Sequence, residues 1–368
     1  MLYRRLFKRS WIIMPYKASK YTAYGDLSVS NVKLNVLPYY KLENSSIEEI
    51  KFKDTDKQRA VYKITSNNNS YCLKKVYYDA SKLLFVYSSV EWWYRCGINV
   101  PRILPTKNND RFVNYNDMLF ILTPWILGEK CNYDNNNHLT ALMQNLGKMH
   151  KKSTVFFPIK DSECKESCNI LYNSLHKHWQ NMLQYSNLAF KYKDNFSKLY
   201  IDNFNICNKL GELSSNVSYT INNKNLTRSL CHEDYVNKNL IFNPNNKIYV
   251  IDFDKVSIDF IAHDISYALR RILRRDSTNW NVSLCIKLLS EYNEVFPLNL
   301  DDYKYILAYL AFPQKYWKIS RDYYRNIKKC NKKSFCKILS KSVENCKEQL
   351  DFAINFKEYI QEKFNTKF

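Results

Sequence analysis

A chain of 368 residues is too long for a minimal module and suits two modest domains, and its 45% apolar and 15% aromatic content excludes a wholly disordered protein. The 56 Lys and Arg against 35 Asp and Glu leave a net charge of +21. That surplus favours an acidic partner (phosphate esters, nucleic acid, anionic membrane or acidic protein) without choosing among them, a solvated basic surface being the plain alternative. Eleven cysteines without a repeated framework spacing argue against a secreted disulfide scaffold and for reduced thiols. Cys164 and Cys168 followed by His176 and His178 match no zinc pattern.

Residues 1–35 carry no sustained period and read as a basic N-terminal arm. The apolar run Trp11–Met14 is too short for a signal-peptide core. No stretch approaches the roughly 18 apolar residues that a membrane helix needs, so no membrane insertion is expected. Residues 36–125 read as a β-rich lobe. Arg59–Thr65 alternates, Ser66-Asn-Asn-Asn-Ser is turn chemistry and Tyr71–Tyr77 runs back, which predicts a hairpin. Leu83, Leu84, Tyr87, Val90, Trp93 and Tyr94 then fall at helical spacing before Gly97, a C-terminal stop. Pro101–Leu104, Arg111–Tyr115 and Met118–Trp125 complete the lobe, and Pro124-Trp-Ile-Leu-Gly reads as a crossover. Residues 126–368 are mainly helical, with His138–His150 amphipathic and further helical patterns at 165–213 and 262–365. They enclose a β island at 226–254, made of Leu226–Cys231, Asn239–Phe242 and Ile248–Phe253. The fold class is α+β.

The chemistry lies in Leu230-Cys-His-Glu-Asp-Tyr-Val-Asn-Lys-Asn and the later Val250-Ile-Asp-Phe-Asp. Phosphoryl transfer needs an oriented acceptor, a proton acceptor beside it and metal ions on the phosphate oxygens. Asp234 supplies the proton acceptor, Asn239 on the same loop a metal ligand, and Asp252 at the end of a buried strand a second. Such hard oxygen donors suit Mg²⁺. His232, just after an apolar strand, braces the loop. Elsewhere, Phe312, Tyr316, Ile319 and Tyr323 form a stripe that reads as helix core. Lys315, Lys318 and Arg321 lie off it, facing an acidic partner or water. Asp264 reads as a structural residue that caps or pins the following helix.

These segments resemble the catalytic and metal-binding segments of the aminoglycoside phosphotransferase and choline kinase superfamily, and within it the CotS-type spore-coat proteins of endospore-forming bacteria. The resemblance runs from about Val36 to Phe356. It is carried by Tyr71-Cys-Leu-Lys-Lys, Pro124-Trp-Ile-Leu-Gly-Glu-Lys-Cys-Asn, Leu146-Gly-Lys-Met-His, His232-Glu-Asp-Tyr-Val-Asn-Lys-Asn, Asp252-Phe-Asp-Lys and Ala311-Phe-Pro-Gln-Lys-Tyr-Trp-Lys-Ile. It implies a bilobal protein-kinase-like fold, with a small β-rich N-terminal lobe and a larger, mainly helical C-terminal lobe. It also implies ATP and Mg²⁺ as cofactors, a small-molecule or protein phosphate acceptor, and other spore-coat proteins as partners. Nucleic acid is not an expected partner. The implied location is the cytoplasm of the sporulating cell and then the spore coat.

A kinase-like lobe further needs a strand lysine to hold the α- and β-phosphates. Lys74 matches that place, with Lys75 its competitor because strand alternation puts the two on opposite faces. The helix glutamate that pairs with such a lysine is offered by Glu91. No glycine lies between Gly25 and Gly97, so a glycine-rich phosphate loop is missing. Glu233 stands where the family often has Gly or Arg. Two readings follow: an active phosphotransferase, or a kinase-like scaffold of the coat with a vestigial site. The 30 tyrosines and 11 cysteines would suit a scaffold through oxidative cross-linking.

Overall fold

The computed structural model describes residues 25–53 and 58–368, so the first 24 residues of the expected arm lie outside the described ones. The last part of that arm departs from expectation. The Ser28 side chain accepts the Asn31 N–H and opens helix α1 (Val29–Asn35). Leu27, Val32, Val36 and Leu37 are buried in a core cluster. Seven residues are too few for a helical period to register in a sequence.

The chain forms two compact units: residues up to Tyr78 with Ile103–Trp125, and Asp79–Arg102 with Ile126–Phe368. The first holds five antiparallel strands, β1 (Ser46–Lys53), β2 (Arg59–Ser66), β3 (Asn69–Lys75), β4 (Val113–Tyr115) and β5 (Met118–Pro124), in the order β1-β2-β3-β5-β4. The β2–β3 hairpin closes at the pair Ser66–Asn69, with Asn67 at φ +53°. Asparagine tolerates that left-handed conformation, which is why the Asn-rich turn works. Ala60, Tyr62 and Ile64 on β2, Leu73 on β3, and Phe120 and Leu122 on β5 turn to the core with α1. Each large apolar side chain buried there contributes about 1.5–3 kcal/mol before entropy is counted.

Helix α2 (Ala80–Arg95), expected inside the small lobe, belongs to the second unit. Its Trp92 and Trp93 rings donate to the carbonyls of Lys152 and Met149, at 2.9 and 3.4 Å. Both acceptors close α3 (Asn136–Lys152), which follows the two-residue strand β6 (Glu129–Lys130). Helices α4 (Leu171–Tyr192), α5 (Asn195–Asp202) and α6 (Phe204–Tyr219) come next.

The expected β island is two sheets. Strand β7 (Arg228–Cys231) pairs with β10 (Ser257–Phe260), while β8 (Leu240–Phe242) pairs with β9 (Ile248–Val250) and with β6. Strands of two to four residues carry too little alternation to show their partners in advance. Six helices complete the unit: α7 (Ile261–Leu273), α8 (Val282–Asn293), α9 (Leu300–Ala311), α10 (Gln314–Arg325), α11 (Lys332–Val343) and α12 (Cys346–Lys363). Phe312, Tyr316 and Tyr323 are core, as their spacing predicts, with Tyr316 donating to the Tyr200 carbonyl at 2.8 Å. No helix among the described residues is long and apolar enough to cross a membrane. All eleven cysteines are free thiols.

Candidate active site

Strand β7 delivers the chain into the loop 232–239, which passes through a 3₁₀ turn into β8. His232 braces it. Its Nδ1 accepts the Asp234 N–H at 3.2 Å, which places the ring proton on Nε2, 3.0 Å from the Ile251 carbonyl. The Ile251 N–H in turn donates to the Asn239 carbonyl at 2.9 Å. Ile251 is therefore tied on both sides to the loop, and it immediately precedes Asp252. The backbone of Asp252 is left-handed, with φ +67°, a conformation that costs a non-glycine residue about 1–3 kcal/mol and clusters at functional sites.

Asp234 is buried, and its carboxylate is surrounded by donors. The Asn239 amide donates to its carbonyl at 2.9 Å and to Oδ2 at 3.2 Å, and the Tyr267 hydroxyl donates to Oδ1 at 3.2 Å. Lys238 and Lys255 place Nζ at 3.3 and 3.4 Å. Burial alone raises the pKa, but the charges of Lys255 and Lys238 and the Tyr267 hydrogen bond outweigh it, holding the group below the usual Asp value. Since the Asn239 amide nitrogen is committed to Asp234, its Oδ1 is the atom left for a cation. Asn239 Oδ1 and the Asp252 carboxylate are hard oxygen donors of the type Mg²⁺ takes.

The loop is clamped from below by Asp264. Its fully buried carboxylate accepts the N–H groups of His232 at 2.8 Å and Glu233 at 3.1 Å, and lies 3.3 Å from His150 Nε2. Burial pushes its pKa up, and the histidines with the backbone donor bring it below the ordinary value. Asp264 is structural, as its position suggests, but what it pins is the loop that carries Asp234 and Asn239. Glu233, at φ +63°, brings a negative charge next to Asp234. His263 compensates it, with Nδ1 2.7 Å from Asp259 and 3.4 Å from Glu233. Burial works against the charged imidazole, yet the two carboxylates raise its pKa to about 11.

Lys74 and Lys75 sit on opposite faces of β3, as alternation requires. Lys75 lies on the core face, its Nζ donating to the Gln58 carbonyl at 3.2 Å and its pKa lowered by burial. Lys74 lies on the other face, half-buried. Glu91 forms a pairing other than the one expected. Its carboxylate takes Arg95 at 2.7 Å and two nitrogens of Arg102 at 2.8 and 2.9 Å. These guanidinium groups outweigh burial and lower its pKa. Lys238, Lys255 and Tyr267 were not singled out in the sequence. The two lysines follow Asp234 and Asp252 closely within the motifs, whereas Tyr267 is brought in only by the packing of α7.

The chain thus divides into a unit built on an antiparallel sheet and a mainly helical unit that holds Asp234, Asn239 and Asp252, and its fold is that of solved aminoglycoside phosphotransferases. A solved aminoglycoside phosphotransferase from Alicyclobacillus acidocaldarius matches with a TM-score of 0.74 at 17% identity, covering 89% of this chain and 96% of that one. A spectinomycin phosphotransferase in complex with ADP and spectinomycin matches with a TM-score of 0.62 at 16% identity, over 89% and 98%. Residues 47–356 match the family described as "Spore coat putative kinase YutH", and the chain belongs to that family. Spore coat protein S of Bacillus subtilis (strain 168) is 19% identical over 301 residues, 80% of this chain and 84% of that protein.

Proposed function

We propose that this chain is a spore-coat phosphotransferase that moves the γ-phosphate of ATP to a hydroxyl or amine acceptor. The supporting observation is Asp234, kept ionised by Lys238, Lys255 and Tyr267 and joined through Asn239 and Ile251 to Asp252. Asp234 orients the acceptor and takes its proton as the acceptor's oxygen or nitrogen bonds to the γ-phosphorus and the bond to the ADP oxygen breaks. Asn239 and Asp252 would hold Mg²⁺, which when bound would neutralise the phosphate oxygens. Lys74 is the candidate for the α- and β-phosphates. Glu91, the expected partner of that lysine, has its carboxylate engaged by Arg95 and Arg102.

Two carboxamide variants test the division of roles. Asp252→Asn should lose Mg²⁺-dependent nucleotide binding in calorimetry. Asp234→Asn should keep it while transfer falls by about 10²–10⁴-fold. Equal loss of binding in both variants overturns the assignment. The arginine pairing of Glu91 favours a second reading, a coat scaffold of kinase fold. A wild-type chain that binds no Mg²⁺–ATP, with both variants entering the coat normally, would establish that reading instead.

A further inference from the structure

A cavity of about 520 Å³ opens in the helical unit where the C-terminal end of α7, the start of α10 and the α11–α12 connection meet. Its volume suits a small metabolite. Six cations line it: Arg270, Arg271, Arg274, Arg275, Lys315 and Lys341. Among the described residues only Arg275 of these has a carboxylate partner, Asp134 at 2.6 Å. The two acids in the wall, Asp276 and Glu344, form no ion pair with the other five.

Among the described residues Arg270 has no carboxylate partner. Arg270 lies 4.1 Å over the Tyr309 ring, its Nη2 reaches the Phe312 carbonyl at 3.4 Å, and its buried Nε has no hydrogen-bond partner. Burial, followed by repulsion from neighbouring cations, lowers the pKa of Arg274 and of Lys315. A helix C-terminus attracts cations, which accounts for Arg270, Arg271 and Arg274 on α7. The same reasoning covers Lys341 in the last turn of α11, but not Lys315, the second residue of α10, where the helix dipole opposes a positive charge. The cavity is joined to the proposed catalytic carboxylate: Arg271 Nη2 donates to the Tyr267 hydroxyl at 2.9 Å, and that hydroxyl donates to Asp234 Oδ1 at 3.2 Å.

We infer that this cavity binds the anionic group of the phosphate acceptor, which is a hydroxyl compound carrying at least one phosphate or carboxylate. The inference rests on the phosphotransferase reading above. Planar guanidinium groups match phosphate and carboxylate oxygens pairwise. An acceptor anchored on Arg270 and Arg274 then presents its hydroxyl toward Asp234, two hydrogen bonds from the cavity wall.

The test uses the full chain and three anionic probes, 3-phosphoglycerate, citrate and inorganic pyrophosphate, titrated calorimetrically with glycerol as the uncharged control. At least one anion should bind, and glycerol should not. In Arg274→Gln/Lys315→Gln that affinity should fall by about tenfold or more, since charge-assisted hydrogen bonds are lost. Lys328→Gln/Lys329→Gln, which removes the same charge away from the cavity, should bind as wild type does. Binding of none of the three anions, an unchanged affinity in the cavity variant, or equal loss in the control overturns the inference. So does a parallel loss of Mg²⁺–ATP affinity in the cavity variant, because the cavity would then hold nucleotide. Transfer only to uncharged or cationic acceptors overturns the anion pocket and leaves the phosphotransferase. Anion binding that depends on Arg274 and Lys315, in a chain that binds no Mg²⁺–ATP, supports the pocket and ends the phosphotransferase reading.

Discussion

The two ends of α7 carry charge in opposite ways. At the N-terminal end the charged groups have partners of opposite charge or backbone donors, with Asp264 taking two backbone N–H groups and His150, and His263 lying between Asp259 and Glu233. At the C-terminal end Arg270, Arg271 and Arg274 crowd one cavity and none of the three forms an ion pair with a carboxylate among the described residues. The apolar stripe Ile265, Ala268, Leu269, Ile272 and Leu273 is buried along the whole helix, so both ends are held by the same packing. The difference therefore separates charges that build the protein from charges that await a ligand.

Removing a matched charge should be costly. Asp264→Ala strips the acceptor from two buried N–H groups and from His150, and should lower stability by about 3–5 kcal/mol in urea unfolding. A loss under about 1 kcal/mol would mean that the loop is held by other contacts.

His263→Gln should cost about 1.5–3 kcal/mol, the range for hydrogen bonds to charged groups. The pH course sharpens this. A histidine whose pKa rises on folding from 6.5 to about 11 contributes its full stability below pH 6.5. That contribution declines as the pH climbs toward the folded value. The gap in melting temperature between wild type and variant should thus shrink steadily from pH 7 to pH 10, whereas a constant gap would show that the ion pair is not its source.

The smallest effect belongs to the unmatched end. Arg274→Gln relieves a like-charge i,i+4 contact with Arg270 but loses a favourable helix-end position, so stability should stay within about 0.5 kcal/mol of wild type. A loss above about 2 kcal/mol would mark Arg274 as a structural cation and blur the contrast.

Local patterns carried most of what the sequence could reveal. The β2–β3 hairpin and the Asp234–Asn239 spacing are contained in short stretches, and each is legible because its partners are near neighbours in the chain. Asp264 is read only as far as its helix, since the N–H groups it takes lie some thirty residues upstream. The cavity is less legible still. It gathers residues from the ends of four helices, and of its six cations only Lys315 stood out in advance, as a cation off the apolar stripe of α10. Helix α1 hid in the apparent arm because two turns carry no measurable period. Glu91 shows what spacing alone leaves out, since its carboxylate is engaged by Arg95 and Arg102 of the same unit.

Gly128 carries a consequence for mutational tolerance. At φ +150°, it lies so close to β8 that an added Cβ would stand 2.1 Å from the Phe242 carbonyl oxygen. That carbonyl belongs to the strand that begins one residue after Asn239. In a saturation library screened for function, the position should admit no other residue and rank with the Asp234–Asn239 loop itself. Its neighbour Leu127, whose side chain is 66% exposed, should accept nearly anything.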